Sequence, residues 1–386
     1  KVKKGDLFTI GEGKSDIKTN FTPSFQKINL KSSVKIDDGK LSFSVCKKNS
    51  QKQLQIKSLN DGIIKNGKGI NFPEIKLDTP VLTKKDIKDI KSGIKFDVDW
   101  FALSFVRSKN DILAVKKILK DSGRSKPIIA KIEKPEAVKK LASIIQAFDG
   151  VLVARGDLGV EMGYEKVPTI QKKITSLCHE YGKPVILATQ MLESMIYNDT
   201  PTRAEVNDVA VAVNQSCDAV MLSAETSIGK HPIESVKIMS SIISRMESEI
   251  SNDSNYKGLN PLVVKMDTQI SICHSAANIA DELDIKLLIA MTESGSSAIS
   301  ISLFRPKARI IAMSPNKGMS KKLSLIWGLE TIHVNNFNNT DEMVDMVEKH
   351  LRDNKILKKN DQYIMIAGVP VGVSGTTNLI RVETLN

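Results

Sequence analysis

Aromatic side chains are scarce: Phe, Trp and Tyr together make up 5% of the 386 residues. Few platforms for base stacking are therefore present. The net charge of +12, carried by lysines spread along every segment, reads as a solvated surface and not as a nucleic-acid footprint. The 4 cysteines, Cys46, Cys178, Cys217 and Cys273, contain no C-x-x-C pair. That argues against zinc and against a disulfide framework, and fits reduced thiols in a cytoplasmic compartment. The 5 histidines are equally dispersed, so spacing suggests neither a histidine metal site nor a nucleophilic dyad. No apolar run approaches the roughly 18 residues of a membrane span, and no signal-peptide pattern opens the chain, so no membrane partner is expected. No G-x-G-x-x-G follows any strand-like run, which leaves a dinucleotide fold unsupported. What remains is ordinary for a globular chain of two or three domains, with 41% hydrophobic and 26% charged residues.

The chain is organised around residues 127–159, PIIAKIEKPEAVKKLASIIQAFDGVLVARGDLG. Two apolar runs each stop at charge: Pro127 to Ala130 at Lys131-Ile132-Glu133, and Val151 to Ala154 at Arg155-Gly156-Asp157. Between them Ala137, Val138, Leu141, Ile144, Ile145 and Phe148 recur near the helical period. Strand, helix and strand in this span predict a parallel βαβ unit, which brings both charged tips to one sheet edge. Alternation along the first strand puts Lys131 and Glu133 on one face and Ile132 on the other. A lysine and two carboxylates, Glu133 and Asp157, then converge, and oxygen ligands of this kind suit a hard divalent ion such as Mg2+. For one strand alone a salt-bridged sheet rim would use the same residues.

Residues 1–78 carry short alternating runs separated by Gly, Asp and Asn turns, as expected of a small β-barrel cap domain. Residues 79–250 repeat strand then helix, with strands expected near 100–106, 127–133, 151–154, 184–189 and 219–223, each ending in polar residues. Five βα units with chemistry at one end predict a (β/α)8 TIM barrel, partly represented. Five of eight strands are legible and Lys1 enters directly on a strand-like pattern, so a polypeptide that begins earlier is expected. After an Asn- and Ser-rich connector, residues 251–386 alternate again and predict a C-terminal α/β sandwich domain. Taken singly, Thr189 reads as a helix cap and Arg203 as a packing or capping residue. The glycines of Ala154-Arg155-Gly156-Asp157-Leu158-Gly159 fit a tight turn or a helix start that favours an anion.

The runs KIE, DGVLVARGDLGVE, KPVILATQMLESMI, PTRAEVNDVA and DAVMLSAETSIGKHP, in this order, resemble pyruvate kinase. Val2-Lys3-Lys4-Gly5, Ile36-Asp37-Asp38-Gly39 and Lys68-Gly69-Ile70-Asn71-Phe72-Pro73 resemble that family's mobile cap, and Thr292-Glu293-Ser294-Gly295-Ser296-Ser297 and Ser374-Gly375-Thr376-Thr377-Asn378 its effector domain. The resemblance implies a cytoplasmic glycolytic phosphotransferase of bacterial type. It would move the phosphoryl group of phosphoenolpyruvate to ADP, giving pyruvate and ATP through a Mg2+-stabilised enolate. It implies Mg2+ or Mn2+ on Glu133 and Asp157, and Lys131 beside the transferring phosphoryl group. The Gly156 and Asp157 N–H groups would take the substrate carboxylate. Thr189 would lie at the protonated face of the enolate, Ser223 and Glu225 in the floor, and Lys68 on the nucleotide phosphates. Thr292, Ser294, Gly295, Ser296 and Ser297 would form a site for a sugar-phosphate or nucleotide effector. A homotetramer is implied, as is K+, whose ligands lie in a part of the family's chain with no counterpart here.

Departures accompany the likeness. Lys134 replaces the family's usual Asn, Ala224 stands for a Gly, and Glu293 stands where some effector-responsive members carry Lys. The loop Gly368-Val369-Pro370-Val371-Gly372-Val373 lacks the aromatic and basic residues of sugar-bisphosphate-activated forms. With the front strands absent, the substrate-binding arginine of the family is absent too, and the chain alone is expected to be inactive. Two alternatives stand beside phosphotransfer: a barrel lyase using phosphoenolpyruvate, independent of ADP and Lys68, or an inactive truncated form with an effector-binding role.

Overall fold

The computed structural model describes residues 1–19, 25, 28–73, 80–252, 266–370 and 377–385, the side chains of 251 and 252 excepted. Most of the expected connector and the residues Val371 to Thr376 of the late-loop and effector motifs lie outside that set.

The first sheet is antiparallel. It contains β1 (Leu7–Gly11), β2 (Ser33–Ile36), β3 (Leu41–Ser50), β4 (Gln53–Ser58) and β5 (Ile70–Asn71) in the order β1-β4-β3-β2-β5. Alternation along β3 buries Leu41, Phe43 and Val45 against Ile10, Val34, Leu54 and Ile56. The turn from β2 to β3 needs positive φ at Asp37, Asp38 and Gly39, a conformation that Asp tolerates and Gly takes freely.

The second sheet is a parallel half-barrel. Along the chain run α1 (Lys84–Lys95), β6 (Phe101–Leu103), α2 (Asp111–Asp121), β7 (Ile128–Ile132), α3 (Pro135–Val138), α4 (Leu141–Ala147) and β8 (Gly150–Ala154). Then come α5 (Arg155–Met162), α6 (Val167–Glu180), β9 (Val185–Ala188), α7 (Arg203–Asn214), β10 (Ala219–Met221), α8 (Ala224–Ser227) and α9 (Pro232–Asn252). The five strands lie side by side in chain order. The single helix expected between β7 and β8 is two, broken at Lys139 and Lys140. Across the break Ala137, Leu141, Ile144, Ile145 and Phe148 all stay buried, so burial of one face overrides the continuity that the period suggested.

Both faces of this sheet are covered, as parallel sheets require. Ile128, Ala130 and Ile132 of β7, Val151 and Val153 of β8, and Val185 and Leu187 of β9 pack outward on the helices. Ile129, Leu152, Ala154, Ile186 and Ala188 form a second, inner cluster. Continuing that alternation past Ile129 puts Lys131 and Glu133 on the inner face.

The third region is the α/β sandwich. It runs α10 (Thr268–Glu282), β11 (Leu287–Met291), α11 (Ser296–Leu303), β12 (Arg309–Ser314), α12 (Met319–Leu323), β13 (Leu329–His333), α13 (Thr340–Asp353), β14 (Gln362–Gly368) and β15 (Thr377–Thr384). The order is β13-β12-β11-β14-β15, with β15 antiparallel to β14 and the other pairs parallel. The helix expected over 317–327 shortens to α12, because the chain must turn back at Gly328, where φ is +66°.

Barrel and sandwich are joined at the amino-terminal ends of the strands. Asp218 accepts from Val185 N (2.9 Å), Trp327 N (3.2 Å) and Arg305 Nη2 (3.4 Å), and Arg305 Nη2 also donates to the Ser216 carbonyl at 2.6 Å. The Arg305 guanidinium lies over the Trp327 ring, 4.5 Å from its centre. A cavity of about 170 Å3 lies against this joint, lined by Cys217, Ala219 and Ile243 among others. It is at the end of the barrel away from the charged strand tips. Asp218→Ala would strand a buried guanidinium and two backbone donors. A loss of about 3–5 kcal/mol is expected on urea unfolding, with Asp218→Asn costing less. An unchanged midpoint for the alanine variant would remove the joint from the forces that hold the two regions together.

Candidate active site

The tips of β6, β7, β8 and β9 gather the charged groups. Glu133 follows β7 and is 1% exposed. One of its oxygens pairs with Lys131 Nζ at 2.8 Å, and the other accepts the Phe105 N–H at 2.7 Å. Phe105 presents that N–H from a left-handed conformation, φ +55°. Lys131 Nζ also donates to Ser104 Oγ at 2.9 Å. A buried carboxylate is tolerated only with such partners, and here two neighbouring strand tips supply them.

β8 pairs with β7 in parallel register, Ile132 opposite Val153, so Asp157 in the first turn of α5 emerges at the same edge. Its carboxyl takes no hydrogen bond or ion pair among the described residues. Burial, and next the Glu133 carboxylate, push its pKa up to about 6; Lys131 opposes the shift. A half-buried carboxyl raised by a neighbouring carboxylate, and without a donor among the described residues, forms with it an oxygen set that a hard dication would relieve. Glu193 is pushed up likewise, by burial and then by Glu225. Among the described residues there is no cluster of three or more acidic, His or Cys ligands, so a cation held here would complete its shell from substrate or water.

Thr189 lies at the tip of β9, and its hydroxyl accepts the Gly156 N–H at 2.8 Å. That N–H, expected to face a substrate carboxylate, is here engaged by Thr189. The Thr189 hydroxyl hydrogen stays available, since the hydroxyl is the acceptor in that bond. Thr189 is not a helix cap, as its own sequence context suggests; it and Gln190 hold positive φ, +69° and +55°. Arg155, which flanks the first glycine of its motif, is 8% exposed and turned inward. Its guanidinium donates to the carbonyls of Thr189 (2.8 Å) and Gln190 (3.2 Å) and pairs with Asp208 at 2.6 Å. Ser223 and Glu225 meet in the floor. The fully buried Glu225 carboxylate accepts from Ser223 N at 2.8 Å and Leu192 N at 3.1 Å. Arg203 opens α7 at an exposed position, and the capping expected of it is done by its neighbours, through a Thr202–Glu205 capping box.

The antiparallel sheet covers the strand tips. Lys35 Nζ donates to the Val160 carbonyl at 3.1 Å, Tyr164 OH to the Asp38 carbonyl at 3.1 Å, and Asn71 Nδ2 to Glu161 at 2.7 Å. Lys68 pairs with Asp37 at 2.8 Å, a bond that raises its pKa, and the Tyr197 loop of the barrel is near enough to act on it. Asp38 likewise acts on Asp157. Sequence reasoning missed Glu161, the Phe105 N–H and Asp208, because each acts across a sequence separation of at least 28 residues or through an ion pair that spacing does not encode. The effector-motif residues are elsewhere, at the mouth of the third sheet. Thr292 Oγ1 accepts Gly295 N at 2.9 Å, Ser294 and Ser296 hydroxyls lie 3.1 Å apart, and Ser297 and Thr377 hydroxyls 2.6 Å.

Known proteins resemble this chain in sequence and fold. Residues 8–236 match the family profile "Pyruvate kinase, barrel domain", and residues 270–383 match "Pyruvate kinase, alpha/beta domain". "Pyruvate kinase 2" of a Synechocystis strain is 40% identical over 351 residues, 91% of this chain and 58% of that protein. The pyruvate kinase of Geobacillus stearothermophilus is 39% identical over 96% of this chain and 63% of its own length. That of Clostridium acetobutylicum is 35% identical over 100% of this chain and 82% of its own. The chain thus spans about three fifths of the length of the first two. The crystal structure of a Cryptosporidium parvum pyruvate kinase superposes with a TM-score of 0.86 at 31% identity, covering 100% of this chain and 79% of that one.

The raised Asp157 carboxyl carries a pH signature. Between its ordinary range near 4 and about 6 the folded chain keeps a proton that the unfolded chain releases, so the stability due to this group falls as pH rises through that window. Without divalent cations, Asp157→Asn should stabilise the fold by about 1–2 kcal/mol at pH 7, discounting for the water that still reaches this carboxyl. The gain should vanish near pH 4. Urea unfolding at both pH values measures it, and equal differences at the two would contradict this electrostatic account.

Proposed function

The chain belongs to the pyruvate kinase family, and from that premise we propose that the whole protein transfers the phosphoryl group of phosphoenolpyruvate to ADP, giving pyruvate and ATP. The observation that carries the reading is the meeting of Lys131, Glu133 and Asp157 at neighbouring strand tips beneath a sheet that bears Lys68. We assign residues 1–78 to the cap, 79–250 to the barrel and 251–386 to an effector-type domain.

In the transfer, the bond between phosphorus and the enol oxygen breaks and one to an ADP phosphate oxygen forms. The enolate left behind takes a proton at its methylene carbon. Lys131 stands where its ammonium offsets charge on the moving phosphoryl group, fixed beforehand by Ser104 and Glu133, so little reorganisation is needed at the moment of transfer. Glu133 and Asp157 would hold Mg2+ or Mn2+. Such an ion supplies charge neutralisation and a template for the phosphate and carboxylate oxygens. Thr189, with its hydroxyl hydrogen free, lies on the side where the enolate is protonated, and Ser223 and Glu225 set the floor beneath it. To bind the substrate carboxylate, the Gly156 N–H must exchange Thr189 for it, and the Asp157 N–H is the second donor. Lys68 would release Asp37 to meet the nucleotide phosphates as the cap excludes water. The Thr292 to Ser297 loop is assigned to a sugar-phosphate or nucleotide effector, and K+ and a homotetramer belong to the same reading. Contacts of the cap on α5 favour phosphotransfer over a lyase, which has no use for a second substrate site.

ADP-dependent pyruvate formation by the protein of the intact reading frame tests the proposal, with and without K+ and candidate sugar phosphates. Glu133→Gln or Asp157→Asn should lower turnover by at least about 100-fold while circular dichroism stays unchanged. Near-normal turnover in either folded variant, or pyruvate release that ignores ADP, would defeat it.

A further inference from the structure

Glu161 lies in the last turn of the helix whose first turn carries Asp157, and the two are one helical turn apart on one face. It is 6% exposed, yet its Oε1 serves two donors from different parts of the fold. Lys134 Nζ, on the residue directly after Glu133, lies at 2.6 Å, and Asn71 Nδ2, from β5 of the cap, at 2.7 Å. Lys134 Nζ also sits 5.5 Å from the centre of the Phe105 ring, whose own N–H holds Glu133. Two further cap contacts land beside this point, Lys35 on Val160 and Tyr164 on Asp38. Asn71 is 9% exposed and follows Lys68 by three residues, so fixing it fixes the base from which Lys68 reaches.

We propose that Glu161 is a positioning residue that receives the cap through Asn71 and the β7 tip through Lys134, and so sets where Lys68 stands over the site. The proposal rests on the phosphotransfer reading for its consequence in turnover, but the latch itself is a matter of geometry. A single carboxylate oxygen shared by an ammonium and an amide in a dry setting makes short, charge-assisted bonds. Removing the charge leaves Lys134 without its counter-ion and weakens both at once. The latch therefore meets at one atom: Asn71 holds the cap to the same carboxylate oxygen that pairs with Lys134, the neighbour of Glu133.

Cys46 on cap strand β3 is exposed and the other described cysteines are buried, so it can take a spin label. Lys173→Cys, at an exposed position of α6, takes the second. Pulsed electron-spin distance measurement should give one narrow distribution in the doubly labelled parent. Glu161→Gln, Lys134→Met and Asn71→Ala should each broaden or lengthen it. In unlabelled protein each should raise the KM for ADP by about tenfold, the scale of one charge-assisted hydrogen bond, while the KM for phosphoenolpyruvate moves less than about twofold, a split that plain loss of stability would not produce. Should Glu161→Gln fail to fold, Asn71→Ala keeps the test, since it leaves the buried ion pair intact. Unchanged distances in Asn71→Ala and Lys134→Met, or equal rises in both KM values, would overturn the proposal. With all variants made in the protein of the intact reading frame, a parent without ADP-dependent turnover whose distances still respond to Asn71→Ala would sink the phosphotransfer reading and leave the latch standing.

Discussion

The ion pair between Lys131 and Glu133 is the constraint from which the site follows. A carboxylate almost sealed from water must be neutralised or paired, and its partner lies two residues back on the same strand face, with the Phe105 N–H on the other oxygen. Both arrangements depend on β7 being flanked on both sides in a parallel sheet. β6 on one side must end at Leu103 so that Ser104 and Phe105 turn over the tip, and β8 on the other must run in register so that Asp157 arrives there. The pair in turn leaves Asp157 to face a second negative charge, with no donor of its own among the described residues. A cation held by the two carboxylates would offset that charge, in line with the concentration of perturbed carboxyl groups at functional sites.

Much of this was legible before any coordinates. Alternation alone put Lys131 and Glu133 on one face, because a strand has one period and the apolar partners Ile128, Ala130 and Ile132 declare the other side. Helix positions in the barrel and sandwich followed from periodic burial in the same way. The interrupted segment between β7 and β8 did not, since a break that keeps every apolar residue on the sheet leaves the pattern unaltered. Nor did the role of Arg155. An arginine next to a glycine at a helix start can face an anion or turn inward, and the choice depends on Asp208 in α7, which spacing does not connect to it.

Arg155 turned inward has its own consequence. Thr189 and Gln190 occupy a left-handed conformation that neither side chain favours, at a cost of order 1–3 kcal/mol each. What keeps them there is a buried guanidinium bonded to the carbonyls of both and held by Asp208. The strained turn brings the Thr189 hydroxyl onto the Gly156 N–H, across the gap between β9 and β8. The arginine thus acts on the site through the threonine, and a charge-reversing change at Asp208, outside the mouth, would be felt at the position of that hydroxyl.

The same logic extends to the cap. Lys134, Glu161 and Asn71 are bland taken singly: a charge after a strand, a charge near a helix end, an amide in a short strand. Together they tie the first sheet to the residue beside Glu133 through one oxygen atom. The charge here makes the closed placement of the cap depend on an ion pair within the barrel, and so on the same strand tip that fixes Lys131 and Glu133. Cap position and site geometry then share one carboxylate, which pairs with the neighbour of Glu133 and holds the cap through Asn71.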